Sequence, residues 1–167
     1  MKKIVLVMAA GFLVAGCGYR LAGGGYLNET VSRVSVAVFE NNSAQSRAGM
    51  SFTNEMIREI TEKSDTRVVD TAGTVQSITG VIQSITFSTL SRSSTENVTE
   101  RQVTAVVDVK LTDPDGKITW SVKDFSAKES YTVSTDTIND ESNKRDAVDT
   151  IAERVAERLV SQMLSNF

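Results

Sequence analysis

Histidine is absent from the 167 residues, and the chain holds one cysteine and one proline. Without histidine and with a single thiol, no metal site of the Cys/His kind can form within the chain. Ser-His and Cys-His nucleophile pairs are excluded on the same ground. A Ser-Lys hydrolase would show Ser-x-x-Lys, and no such spacing occurs. Acidic residues number 21, yet nothing in their spacing singles out a pair for acid-base work. The chain is therefore not expected to be an enzyme. A disulfide is excluded too, because Cys17 has no second cysteine to join.

Positive charge is also scarce, with 18 Lys and Arg against 21 Asp and Glu. An acidic chain is poorly suited to nonspecific nucleic-acid binding. Aromatics make up 6% of the residues. Only one apolar run stands out, from Ile4 to Val14. It is too short to span a bilayer, which takes about 20 apolar residues.

That run follows Lys2-Lys3 and ends in Val14-Ala15-Gly16-Cys17. A basic start, a short apolar run and small residues at the cut define a secretory signal. A cysteine directly after aliphatic-small-Gly is the bacterial lipobox. Its thiol is alkylated with diacylglycerol, the peptide is cut before it, and an N-acyl chain is added. Residues 1–16 are thus expected to be removed, leaving Cys17 as the lipidated first residue. One acyl chain anchors a protein only marginally, whereas several hold it firmly. Gly18 replaces the Asp that retains lipoproteins at the inner membrane, so sorting to the outer membrane, on its periplasmic side, is expected. No other cofactor is called for.

The cut leaves 151 residues, the size of one domain. Losing two lysines from the 18 cations moves the formal charge from −3 to −5. Residues 17–32, with Gly23-Gly24-Gly25, read as a flexible tether, and residues 33–167 as a single domain.

Within it, Val34, Val36 and Val38 alternate in a half-buried strand over Arg33–Phe39, which ends in a turn at residues 40–43. Residues 46–63 read as a helix. Ala48, Phe52, Met56 and Ile60 form its inner stripe, while Arg58, Glu59, Glu62 and Lys63 face away. Arg67–Asp70 is a short strand, so strand-helix-strand predicts a right-handed parallel crossover. Three long alternating runs follow from Thr79 to Tyr131. In the first, Val81, Ile85 and Phe87 share a face with Gln83, an imperfect pattern. In the second, Val103, Ala105, Val107, Val109 and Leu111 share one face cleanly. Asp113-Pro114-Asp115-Gly116 is a tight hairpin turn.

The third run changes phase between Val122 and Phe125, which predicts a bulge near Lys123 or Asp124. The polar stretch Ser88–Arg101 is an exposed hairpin tip carrying Arg92. A closing helix runs from about Asn143 to Leu164, with Val148, Ile151, Val155, Leu159 and Met163 inward. The fold class is a two-layer α/β sandwich. Its mixed sheet starts parallel and ends as an antiparallel meander, and two helices cover one face.

That element order accompanies Cys17-Gly-Tyr-Arg-Leu, Val36-Ala-Val-Phe-Glu-Asn-Asn42 and Phe52-Thr-Asn-Glu-Met-Ile57. Together they resemble the LPS-assembly lipoprotein family, LptE, with the specific part covering Cys17 to Val69. The resemblance implies an outer-membrane lipoprotein that plugs the β-barrel LptD, helps it assemble and assists lipopolysaccharide delivery to the outer leaflet. Barrel lumens are polar, which suits the Ser-, Thr- and Gln-rich outer positions of the long runs. In some family members basic residues meet lipid A phosphates, and no motif fixes those positions here. By location the candidates are Arg92, Lys144 and Arg145, since Arg and Lys bind phosphate well. A pilot lipoprotein for another outer-membrane assembly, such as a secretin, is the alternative.

Cys17→Ser removes the acylation nucleophile. Labelled palmitate should no longer be incorporated and the precursor should stay uncut. Incorporation into the variant would contradict the lipobox.

Overall fold

The computed structural model describes residues 24–70, 75–92 and 98–165. The expected signal at 1–16, Cys17 and the start of the tether lie outside them. In order come β1 (Arg33–Val36), β2 (Glu40–Asn41), α1 (Ala48–Lys63), β3 (Arg67–Val68), β4 (Gln76–Arg92), β5 (Val98–Thr112), β6 (Ile118–Thr132) and α2 (Thr137–Ser165). The sheet runs β3-β1-β4-β5-β6, with β2 continuing beside β4. β1 is parallel to β3 and β4, and the β4-β5-β6 meander is antiparallel. The expected mixed sheet and α/β sandwich are what forms.

β5 is the floor of the core. Val103, Ala105, Val107, Val109 and Leu111 are all fully buried, as their alternation predicts. Phe52, Met56 and Ile60 of α1 and Ile151, Val155, Leu159 and Met163 of α2 close over the same face. Each large aliphatic buried this way is worth about 1.5–3 kcal/mol. Outside the core, Arg58 of α1 ties the helices together, with Nη2 2.9 Å from Glu153 of α2 and 2.7 Å from Glu55.

β4 and β6 each carry a bulge near Asp108 of β5. The β6 bulge falls at Lys123–Asp124, where the sequence places it: Val107 pairs with Phe125 and Val109 with Val122. Asp124 takes a left-handed φ of 52°. The β4 bulge, between Ile82 and Ser84, is a correction to the expected face. Ile78 and Ile82 point inward below it and Ile85 and Phe87 above it, whereas Val81 and Gln83 turn outward. Gln83 broke the alternation because it is the inserted residue. Asp108 stands between the bulges. Its Oδ1 accepts the Asp124 N–H at 2.8 Å and its Oδ2 accepts Gln83 Nε2 at 2.9 Å. The Asp124 N–H holds the Asp108 carboxyl below the usual range, with Gln83 adding to it and partial burial opposing.

Four further expectations are corrected. First, the strand over Arg33–Phe39 breaks after Val36. Val38 is 64% exposed and Phe39 is buried instead. The Phe39 ring lies against Gly80, where a Cβ would overlap it. The Phe39 N–H donates to Thr53 Oγ1 at 2.9 Å, and the expected turn begins with β2 itself. Second, Glu59 does not face away but is buried between the helices. Burial pushes its carboxyl up, partly countered by Lys63 and reinforced by Glu157.

Third, the tether does not extend to residue 32, because Leu27 and Val31 are core residues. The Thr66 hydroxyl accepts the Leu27 N–H and donates to the Val31 carbonyl, at 2.9 and 2.6 Å, knotting this segment to the domain. Fourth, α2 starts six residues before Asn143. Asp136 caps it, Oδ1 accepting the Ile138 N–H at 3.0 Å.

Glu59 and Asp108 should move stability in opposite directions. A raised carboxyl binds its proton more tightly when folded, so Glu59 destabilises at neutral pH. Glu59→Gln should therefore melt higher at pH 7, with the gain shrinking as pH falls toward the ordinary Glu value. Asp108→Ala should cost roughly 2 kcal/mol, since hydrogen bonds to charged groups are worth about 1.5–3. Asp108→Asn, which keeps an acceptor, should cost less. The Asp108 contribution is present above the ordinary Asp value and fades as pH falls through its lowered one. Thermal melts across pH check both.

Candidate functional site

The three basic candidates belong to the half of the molecule farthest from Gly24. The start of the described chain sits at the C-terminal end of α2, where the Asn28 N–H donates to the Met163 carbonyl at 2.8 Å. At 29 residues, α2 is about 43 Å long. Its other end lies beside the close of β6, where Asn143 Nδ2 donates to the Thr132 carbonyl at 2.9 Å. Thr132 pairs with Glu100 near the β4–β5 hairpin, so the start of the described chain and the hairpin occupy opposite poles.

Arg92 is the last residue of β4, paired with Val98; residues 93–97 of the tip lie outside the described residues. Lys144 reaches down from α2 onto β4, its Nζ 5.1 Å from the centre of the Phe87 ring. Phe87 in turn meets Tyr131 edge-on, centroids 6.4 Å apart. A cation over an aromatic face is favourable by about 0.5–1 kcal/mol or more when sheltered. Lys144 Nζ also lies 3.4 Å from Glu141 Oε1, with the side chain 24% exposed. Arg145 is exposed and makes no ion pair among the described residues. Phe87 and Arg92 are five residues apart on β4, about 17 Å at strand rise. Lys144 and Arg145 are thus brought together, and Arg92 stands at a second point nearer the tip.

Lys144 and Arg145 line a groove of about 620 Å³ between α2 and the approach to α1. Arg47 joins them on the opposite wall, a residue the sequence reading missed. It precedes a helix without capping it, and no motif marks it. Glu141, Asp146 and Asp149 line the same groove. Asp149 is engaged by Ser51, whose Oγ donates to Oδ1 at 2.6 Å. Three cations against three carboxylates suit a few localised phosphate contacts and not a broad anionic surface.

A model of the LptE lipopolysaccharide-assembly family matches residues 31–163. The chain belongs to that family. The LptE family consists of non-enzymatic lipoproteins of lipopolysaccharide assembly. No curated protein sequence matches the chain.

Among solved structures, rare lipoprotein B from Shewanella oneidensis is similar at 20% identity and a TM-score of 0.54, covering 80% of this chain and 95% of that one. Lipoprotein B from Nitrosomonas europaea gives 14% identity and a TM-score of 0.57 over 89% and 92%. A lipoprotein from Caulobacter crescentus gives 11% and 0.56 over 77% and 88%. At such identities the likeness is one of fold. Among the described residues no helix is long and apolar enough to cross a membrane, and no cluster of three acidic side chains could hold a metal ion.

Proposed function

We propose that the mature LptE chain hangs from acylated Cys17 at the periplasmic face of the outer membrane and seats in the lumen of the LptD barrel. There it assists barrel assembly and the passage of lipopolysaccharide to the outer leaflet. The observation that carries this reading is the bare face of the sheet. Both helices pack on one side, and the other presents Thr79, Thr86, Gln102, Thr104, Ser121 and Ser126 with no element over them among the described residues. A plug must keep apolar area inside and meet a polar lumen with hydroxyls and amides. A lipid-anchored protein docking on bilayer would instead show a cationic face with interfacial aromatics.

The opposition of poles supports the same arrangement. A domain tethered near Gly24 extends its hairpin away from the anchor, toward the far end of the lumen. Arg92, Lys144 and Arg145 are carried there, where lipid A phosphates would arrive. Lys144 is held by Phe87 on one side, so its ammonium is positioned before ligand binds. Such contacts are charge-assisted and worth about 1.5–3 kcal/mol each.

Titrating purified lipopolysaccharide against wild type and the triple variant Arg92→Glu, Lys144→Glu, Arg145→Glu at fixed salt tests the site. Loss of one contact gives about tenfold weaker binding. Equal affinities, with unchanged melting, would remove these residues from the site. No binding in wild type would leave the barrel role alone.

A further inference from the structure

β4 is unlike its neighbours, because no charged residue occurs from Gln76 to Ser91. Its first half is paired on both sides, by β1 and β2 on one and β5 on the other. The last bond on the β2 side is from the Asn42 N–H to the Ile82 carbonyl, 2.9 Å. There the chain turns up toward α1. From Ser84 to Arg92 the only partner of β4 among the described residues is β5.

The direction of the open groups follows from the ladder. The Val133 N–H donates to the Thr99 carbonyl, so odd-numbered β5 residues bond toward β6 and even-numbered ones toward β4. Ile85, Phe87 and Thr89 stand opposite Ala105, Val103 and Arg101. Their N–H and C=O groups therefore point to the open side.

An open edge is a template for another strand unless charge, bulges or covering groups block it. β6, the other long edge, is blocked in this way. Arg154 Nη1 donates to the Lys128 carbonyl at 3.3 Å, Asn143 Nδ2 covers Thr132, and Lys123, Asp124 and Lys128 put charge along it. From Ser84 to Thr89 the far half of β4 carries no charge and no bulge; its next slip comes only between Thr89 and Ser91.

We propose that two copies of this chain pair through Ile85–Thr89 of β4, in a two-fold antiparallel ladder centred on Phe87. A strand that adds here needs an unpaired edge of its own. A closed barrel has none, and a second copy has the matching one. Two-fold pairing sets Ile85 opposite Thr89 of the second copy and Phe87 opposite its equivalent, so each open N–H meets an open C=O. Thr86 then faces Ser88 across the join, a favourable hydroxyl pair. The paired segment is itself uncharged, and Lys144 beside Phe87 brings its own counter-charge in Glu141, 3.4 Å away. The pairing is open to copies not engaged with a barrel and does not rest on the barrel reading.

The test places Thr86→Cys with Ser88→Cys in the full-length chain, overproduced in membranes and oxidised with copper-phenanthroline. A control pair, Ser126→Cys with Lys128→Cys, lies on the β6 edge. The expected result is a disulfide-linked band of doubled mass from the first pair and none from the second. No dimer from the first pair, in a variant as trypsin-resistant as wild type, would overturn the proposal. So would equal dimer from both pairs, which marks random collision. Native mass spectrometry of the unsubstituted lipoprotein released from micelles should show dimer at micromolar concentration. Monomer alone would also overturn it.

Discussion

The architecture depends on how Asp108 joins three strands. A strand that is dry on one face must keep its alternation in step with its neighbours, and one slipped residue reverses every side chain beyond it. β4 slips at Gln83, across from Val106 and Val107, and β6 slips at Lys123–Asp124, across from Asp108. One carboxylate oxygen holds the Asp124 N–H of one bulge and the other holds Gln83 of the second. Ile85 and Phe87 of β4, and Phe125 and Ala127 of β6, return to the core side together as a result. From Val103 to Leu111 β5 has no slip, and its unbroken Val-Ala-Val-Val-Leu row is the reference to which both neighbours are matched.

With one face kept dry along the full length of the strands, the helices can crowd onto it and the other face is free. That division gives an LptE domain its two chemistries. The helix side carries the core and the Arg58–Glu153 ion pair, and the bare side mixes hydroxyls and amides with Asp108, Lys110 and Lys128 and the aliphatic Val81 and Val106. The same length separates the start of the described chain from the hairpin. Thr66 ties Leu27 and Val31 into the base of the domain, so the start of the described chain is fixed at one pole and the basic residues stand toward the other.

The periodic elements were legible in the sequence because their burial is a local matter. The β5 row, the Ala48–Ile60 stripe and the Lys123–Asp124 phase change each follow from spacing alone. The misses are where a distant partner decides. Phe39 turns inward because Gly80 leaves room for its ring, and Val38 is displaced outward in consequence. The first turns of α2 hold only Ile138, 80% exposed, so periodicity had nothing to register there. Gln83 was visible as a flaw in β4, but the phase change was masked because Gly80, with no side chain, hides the inward row below it. Of the basic residues, Lys144 and Arg145 could be placed by helix position. Their meeting with Arg47 depends on the turn from β2 to α1, which Asn41 organises through Gln45 and Ser43.

The account stands or falls on the partner of the bare sheet face. Full-length chain carrying a C-terminal tag can be purified in mild detergent from outer membranes of its own cell. The expected companion is a single large β-barrel, LptD, in equal amount and retained through high salt, since lumen packing is not a charge effect. Recovery of the acylated chain without any barrel, or with a secretin in its place, would contradict the account.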